Sequence, residues 1–245
     1  PATVLLRALG YSVEEILATF FEFDTLHFKG DEVQMDLRAE RMRGQVLSFD
    51  IKRADGSVIV QAGKRVTAKQ VRDLEKDGRK TLSVPDDYVH GRILARDLVD
   101  PRTGEIIAKA NELLASDVLE RVRAAALTEA QVLFVNDVDR GPYISDTLRL
   151  DHCISQHDAL VEIYHIMRPG EPPTKDAAET LFHNLFFSPE HYDLSAVGRM
   201  KFNRGVGLAH QEGGGVLSRE DIVAVMRKLI DIRSGTGDVD DADHL

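Results

Sequence analysis

Apolar positions in the first forty residues follow a helical period and then a strand-like one. Ser12 and Glu15 form an S-x-x-E pair directly before the apolar residues Ile16, Leu17, Phe20 and Phe21. This pair predicts a helix N-terminus, because each side chain can bond the backbone N–H of the other residue. Residues 23–37 then alternate between apolar and polar types around Lys29-Gly30-Asp31, which predicts two strands joined by a tight turn.

Helical patterns with capping residues fill the last third of the chain. Ser155, Thr174 and Ser218 each precede a run with apolar residues at helical spacing, and Asp221 completes a capping box with Ser218. The first of these helices is expected to end at Met167, because the following proline-containing loop cannot continue the hydrogen-bond ladder. A polar, glycine-rich span, 205–215, separates the second helix from the third.

The middle of the chain contains an internal repeat with a period of about 48 residues. Each copy has a strand, a turn containing Gly56 or Gly104, a second strand, a polar loop, a helix and a β-rich run. In the first copy Thr67 is expected to cap a helix that ends at Gly78, and in the second Ser116 is expected to cap a helix that starts at Asp117. The runs 80–84 and 131–135 close the copies. We therefore predict tandem modules at about 46–92 and 93–139.

These patterns predict an α+β chain in which a mainly helical domain is interrupted by two small repeated α+β units. The 245 residues are 43% hydrophobic, enough for one large domain or two modest ones, and contain no stretch typical of a membrane helix. The single cysteine, Cys153, fits a reducing cytoplasm. A net charge of −10 means that any contact with DNA must come from a local basic patch. The start at Pro1, without methionine, suggests a piece of a longer protein.

Basic residues give the clearest candidates for binding. In Gly-Arg-Met-Lys-Phe-Asn-Arg (198–204), the cations Arg199, Lys201 and Arg204 alternate with apolar residues, so an extended segment would present them on one face as a strip for phosphates. The alternative is a surface strand whose cations pair with nearby carboxylates. Arg168 follows a helix C-terminus and begins a stiff loop, which fits either a contact element or an ordinary sharp turn.

Patterns for catalysis or metal binding are weak. Asp151, His152, Cys153 and His157 lie close together, but their spacing does not match paired zinc ligands. The triple glycine 213–215 lacks the Lys-Ser/Thr of a phosphate-binding loop and indicates a flexible linker. The acidic end of the chain lacks the glycine and glutamate of a calcium loop. The sequence therefore predicts no catalytic residue and no metal site.

Several long motifs, in this order, resemble the β subunit of bacterial RNA polymerase. They are PATVLLRALGYS (1–12), GPYIS (141–145), ALVEIY (159–164), MRPGEPPT (167–174), LFFS (185–188), YDLSAVGRMKFNR (192–204) and DVDDADHL (238–245). The resemblance implies a cytoplasmic, nucleoid-associated DNA-directed RNA polymerase, a nucleotidyltransferase. It places residues 1–22 and 147–245 in the β lobe. It identifies 23–146 as the proteobacterial lineage-specific insertion, built of β-β′ modules and serving as a docking surface for regulators.

The resemblance also implies partners and site residues. The expected partners are the β′, α and ω subunits, sigma factor, downstream duplex DNA and non-template DNA. Arg168 corresponds to a lobe arginine near the DNA fork, and Asp243 to the acidic residue of a pocket for an unpaired guanine, the rest of which lies beyond Leu245 in the family. No cofactor is expected in this fragment, because the catalytic magnesium belongs to β′. Two other interpretations stay open: a free-standing regulatory protein-interaction domain, which the abrupt end at Asp-His-Leu disfavours, and a metal-dependent hydrolase.

Overall fold

A computed structural model describes residues 1–209 and 213–239 and shows an α+β protein. The described α-helices are α1 (Ala2–Ala8), α2 (Val13–Phe20), α3 (Ala68–Asp77), α4 (Asp86–Val89), α5 (Ser116–Ala124), α6 (Tyr143–Leu150), α7 (Gln156–Met167), α8 (Lys175–Phe186), α9 (Ser195–Val206) and α10 (Arg219–Arg233). The strands are β1 (Phe23–Lys29), β2 (Glu32–Asp36), β3 (Ile51–Lys52), β4 (Val58–Val60), β5 (Thr81–Val84), β6 (Leu98–Val99), β7 (Ile106–Ala108) and β8 (Glu129–Leu133). In this part of the chain no helix is long and apolar enough to cross a membrane.

The chain forms two compact units, and the division falls at 20/21 and 134/135. We call residues 1–20 with 135–245 the helical unit, and residues 21–134 the sheet unit. The family resemblance predicts a lineage-specific insertion with its edges at 22/23 and 146/147 instead. Residues 135–146, which include the start of α6, therefore group with the helical unit. The family boundaries of the insertion stay a prediction.

The helices of the helical unit begin where local capping chemistry predicts. Ser12 Oγ accepts a hydrogen bond from the Glu15 N–H at 3.2 Å, and the Glu15 carboxylate accepts one from the Ser12 N–H at 2.8 Å. Ser155 and Ser218 make the same reciprocal arrangement at the starts of α7 and α10, and Thr174 caps α8. These predictions are confirmed. Helix α7 packs between α1 and α8, so the N-terminal segment is part of this unit.

Asp151 ties α1 to the segment before α7. Its side chain is fully buried and accepts hydrogen bonds from the Thr3 hydroxyl at 2.8 Å and Arg7 Nε at 3.1 Å. Burial alone would raise the pKa of Asp151, but the Cys153 N–H, the Thr3 hydroxyl and the Arg7 charge together lower it. The buried Cys153 thiol has its pKa raised to about 11 by burial and by Asp151. Asp151 is thus occupied by structural partners.

The sheet unit is built around a four-stranded antiparallel sheet with the order β5-β2-β1-β8. The central hairpin β1–β2 turns at Gly30, whose φ of +63° lies in the left-handed region, which confirms the predicted turn. β5 pairs with one side of this hairpin and β8 with the other. Leu26 and Met35 face each other across the hairpin, and both are buried in the hydrophobic core. That core extends into both halves of the unit.

The two halves of the sheet unit contain the same elements in the same order. Each has a two-stranded hairpin, β3–β4 or β6–β7, then a helix and an outer strand of the sheet. Asp50 accepts a hydrogen bond from the Ala62 N–H at 2.7 Å, and Asp97 accepts one from the Ala110 N–H, also at 2.7 Å. These details agree with the order read in the sequence, and the duplication itself stays a prediction.

The helices of the two halves begin differently. Thr67 caps α3 through a capping box with Gln70, and Gly78 ends the helix with φ of +71°, as predicted. In the other half, the prediction that Ser116 caps a helix starting at Asp117 is wrong. Helix α5 already includes Ser116, and its N-cap is Ala115, which has no side chain that could accept a hydrogen bond. A serine near a helix start predicts the helix but does not fix its first residue.

Candidate nucleic-acid interface

Arg168 lies at the point where α7 ends and a stiff loop begins. Its N–H donates to the Tyr164 carbonyl at 2.8 Å and closes the last turn of the helix. Pro169 cannot continue that ladder, and Gly170 turns the chain with φ of +84°. The Glu171 N–H then donates back to the Arg168 carbonyl at 3.3 Å. The loop therefore presents Arg168 at a position that the backbone fixes.

The Arg168 side chain is 54% exposed and lies near the carboxylate of Glu171. Nη1 of Arg168 lies 3.6 Å from Oε1 of Glu171, which is longer than a charge-assisted hydrogen bond. The other carboxylate oxygen, Oε2, accepts a hydrogen bond from the Tyr164 hydroxyl at 3.0 Å. This bond to the Glu171 carboxylate raises the pKa of Tyr164. The guanidinium keeps N–H groups that can bind an anion.

An open cleft of about 360 Å³ lies beside Arg168, between α7 and α8. The residues that line it are Tyr164, Arg168, Asp176, Ala177, Thr180, Leu181 and Asn184. Helix α8 buries Ala178 and Phe182 on another face. An aromatic ring, an amide and a guanidinium at one cleft are groups that can contact a phosphate and an unpaired base, whereas the Asp176 carboxylate at the same cleft repels a phosphate.

The segment of Arg199, Lys201 and Arg204 is not extended. It is the helix α9, and the prediction of an alternating strip of cations and apolar residues is therefore wrong. Residues three positions apart lie on the same side of a helix, because successive residues are about 100° apart. Lys201 and Arg204 have this spacing, and both are exposed. Gly207 ends the helix in the left-handed conformation, with φ of +77°.

Arg199 lies in the interior of the helical unit. Nη1 of Arg199 lies 2.8 Å from the Asp221 carboxylate, and only 8% and 5% of the two side chains are exposed. Nε and Nη2 of Arg199 donate to the carbonyls of Gly214 and Val216, each at 2.8 Å. The Asp221 carboxylate also accepts the Ser218 N–H of the α10 capping box. Arg199 thus connects α9 to the start of α10, and its donors are directed inward.

Two glycines before α10 lie in close contact with side chains of the helical unit. A Cβ atom at Gly213 would lie 2.7 Å from Arg199 Cζ, and one at Gly215 would lie 2.4 Å from the Asp193 carboxylate. Such distances are shorter than van der Waals contact, so both positions need glycine. The interpretation of 213–215 as a flexible linker is therefore wrong. Gly213 lets the backbone pass close to Arg199, and Gly215 lets it pass close to Asp193.

The predicted site residues that the structure describes lie on different elements. Arg168 follows α7, whereas Lys201 and Arg204 lie on α9, and no described hydrogen bond or ion pair joins Arg168 to either of them. Asp243, with most of the acidic segment at the end of the chain, lies outside the described residues. Among residues 1–209 and 213–239, no group of three His, Cys, Asp or Glu side chains could hold a metal ion. The DNA-binding roles of Arg168, Asp243, Lys201 and Arg204 stay predictions.

Two residues of the candidate site, both beside Arg168, were not predicted from the sequence. Tyr164 looks like an ordinary apolar-face residue of α7, and Glu171 looks like part of a proline loop. Their only sequence signal is spacing: Tyr164 precedes Arg168 by four residues, one helical turn, and Glu171 follows it by three.

Comparison with protein families identifies the chain. A family model described as RNA polymerase Rpb2, domain 2, matches residues 106–245, more than half of the sequence. The chain belongs to this family. It is therefore a region of the β subunit, the second-largest subunit of DNA-directed RNA polymerase. This polymerase is a nucleotidyltransferase complex of several subunits. The resemblance read in the motifs is confirmed at this level, and membership favours a polymerase subunit over a free-standing regulatory domain.

Proposed function

We propose that this chain is the lobe part of the polymerase β subunit and helps to position downstream duplex DNA and the non-template strand. The proposal rests on the position and exposure of the Arg168 side chain. Its half-exposed guanidinium follows a helix end on a proline-stiffened loop, beside an open cleft. A phosphate is the natural ligand for such a group, because guanidinium N–H donors match phosphate oxygens in geometry and charge.

Lys201 and Arg204 are the second element of the proposal. Both are exposed on α9, and their cations are suited to phosphate contacts that position DNA without reading its sequence. Arg199 is excluded from this role because its donors are used inside the unit. The net charge of −10 predicts that binding by these few cations is local and sensitive to salt.

The proposal also assigns roles to the other parts of the chain. Asp243 is the acidic residue of a pocket for an unpaired guanine. Residues 23–146 are a lineage-specific insertion that serves as a docking surface for regulators. The chain supplies no catalytic residue of its own, and the catalytic magnesium is held by β′. The expected partners are β′, α, ω and sigma factor, in the cytoplasm at the nucleoid.

The proposed DNA contact is tested in RNA polymerase assembled with a β subunit that contains this chain. Affinity for a fluorescently labelled forked DNA is measured by anisotropy at several salt concentrations, for wild type and for Arg168→Ala. We expect weaker binding and a salt slope smaller by about one, because one phosphate contact is lost. Arg102→Ala, which removes a 63% exposed arginine from the sheet unit, is the matched control and should leave the slope unchanged. An Arg168→Ala slope equal to that of wild type would contradict the proposal.

A further inference from the structure

We infer that Glu171 determines how available Arg168 is to a phosphate, and that the Tyr164 hydroxyl keeps the Glu171 carboxylate from closing onto the arginine. The inference rests on the proposed DNA contact of Arg168. It assigns a positioning role to two residues that do not themselves need to touch DNA.

The two oxygens of the Glu171 carboxylate have different partners. Oε2 accepts a hydrogen bond of 3.0 Å from the Tyr164 hydroxyl, and Oε1 lies 3.6 Å from Arg168 Nη1. Arginine–carboxylate hydrogen bonds are typically about 2.7–2.9 Å long, so the second interaction is an electrostatic approach without a hydrogen bond. Arg168 is therefore close to a negative charge but keeps its N–H donors.

The geometry fixes Tyr164 more firmly than its two neighbours. Only 7% of Tyr164 is exposed, whereas the side chains of Arg168 and Glu171 are 54% and 52% exposed. Tyr164 lies one helical turn before Arg168, and a backbone hydrogen bond of 2.8 Å joins the two residues. The hydroxyl thus lies at a defined position on α7. The carboxylate can stay with the hydroxyl, or it can leave it and pair fully with the guanidinium.

A phosphate that approaches Arg168 competes with Glu171 for the same donors. When the carboxylate is bound to Tyr164, this competition is weak, because at 3.6 Å the guanidinium has no direct hydrogen bond to Glu171 to break. Without the hydroxyl, the carboxylate gains by moving the short distance to Arg168 and forming a direct ion pair. The tyrosine hydroxyl therefore favours the state in which Arg168 can bind a phosphodiester.

Substitutions at Tyr164 and Glu171 should change DNA affinity in opposite directions. Tyr164→Phe keeps the buried ring and removes the hydroxyl, so we expect DNA binding to weaken about two- to fivefold, the range of an exposed ion pair. Glu171→Gln keeps an oxygen for Tyr164 and removes the charge, so we expect binding to strengthen by a similar factor. In the Glu171→Gln background, Tyr164→Phe should have no further effect, because no carboxylate remains to compete.

Assembled polymerase and labelled forked DNA are again the materials, and the control variant is Glu179→Gln. Glu179 lies 3.9 Å from Lys175 on α8 and is 51% exposed, so this change removes the same charge from the neighbouring helix. We expect Glu179→Gln to have less effect than Glu171→Gln. Equal strengthening by both variants would mean that only the overall charge matters, and this would overturn the inference.

The set of variants separates the two proposals. If Arg168→Ala leaves the affinity unchanged, the DNA contact itself is absent. If Arg168→Ala weakens binding but Tyr164→Phe leaves it unchanged or strengthens it, the contact stands and the positioning role is wrong. Should Tyr164→Phe fail to fold, Glu171→Gln still tests the competition for Arg168, because affinity at or below that of wild type would overturn the inference.

Discussion

Removal of the buried carboxylate of Asp221 should be among the most damaging single changes in the helical unit. Asp221→Ala leaves the Arg199 guanidinium, of which 8% is exposed, without its counter-ion. Loss of one partner from a buried pair typically costs about 3–5 kcal/mol, since the remaining charge stays out of water. The same substitution removes the acceptor for the Ser218 N–H, and a lost cap costs about 1 kcal/mol.

Two features of the site limit this cost. Arg199 keeps the carbonyls of Gly214 and Val216 as acceptors, and the two losses at Asp221 concern one group and are not additive. We therefore expect a total of about 3–5 kcal/mol for Asp221→Ala. Asp221→Asn keeps an oxygen for Ser218 and removes the charge, so it should cost about 1.5–3 kcal/mol, the range of a hydrogen bond to a charged group.

Hydrogen exchange measured by mass spectrometry suits this test, because the chain has no tryptophan to report unfolding and two units that can open separately. Peptides from α9 and α10 should lose about two to three and a half orders of magnitude of protection in Asp221→Ala, since about 1.4 kcal/mol corresponds to a factor of ten. Peptides from α3, in the sheet unit, serve as the internal reference. A loss below about 1 kcal/mol in α9 and α10 would refute the burial of this pair, as would an equal loss in α3.

Two further outcomes are expected. Gly213→Ala should destabilise α9 by about 1–3 kcal/mol in the same exchange experiment, because the new Cβ would meet Arg199 and the φ of this residue is +88°. Gly214→Ala is the control and should be neutral within about 0.5 kcal/mol, because there is open space around this position. Equal effects of the two substitutions would contradict the close packing. Alkylation of Cys153 at pH 8 should be about 100-fold slower in the folded chain than in urea, because a pKa of about 11 instead of 9.0 lowers the thiolate fraction. Equal alkylation rates in the two states would show that the thiol is accessible. Because the folded state has the higher thiol pKa, the stabilisation that the protonated thiol contributes should be lost as pH rises from 9 to 11.

The sequence predicts a capping hydrogen bond wherever its donor and acceptor residues lie within one helical turn of each other. The capping boxes of α2, α7 and α10 each join residues three positions apart, so the pattern contains the whole interaction. The turn at Gly30 is equally local. The same reasoning missed α1, which has no side-chain cap and is stabilised by packing against α7.

The error at α9 has a physical cause. Arg199 and Asn203 are four residues apart and both buried, so the inward face of this helix is polar and does not show the expected apolar period. The partner that makes such burial possible, Asp221, is 22 positions away. A pairing at that distance leaves no trace in a single sequence, and the short alternation of cations and apolar residues is equally compatible with a strand.

The pairing of β1 with β8 has a consequence for the entropy of the chain. Phe23 faces Leu133 in the ladder, and the Phe134 N–H donates to the Glu22 carbonyl at 2.8 Å, so the sheet unit begins and ends at one place. If residues 21–134 were unfolded, they would form a loop whose length-dependent closure cost is about 4 kcal/mol for the helical unit. In the folded sheet unit the two ends are held together by the β1–β8 pairing, so the helical unit does not bear this closure cost. Order in the sheet unit should therefore favour the assembly of α2 with α6.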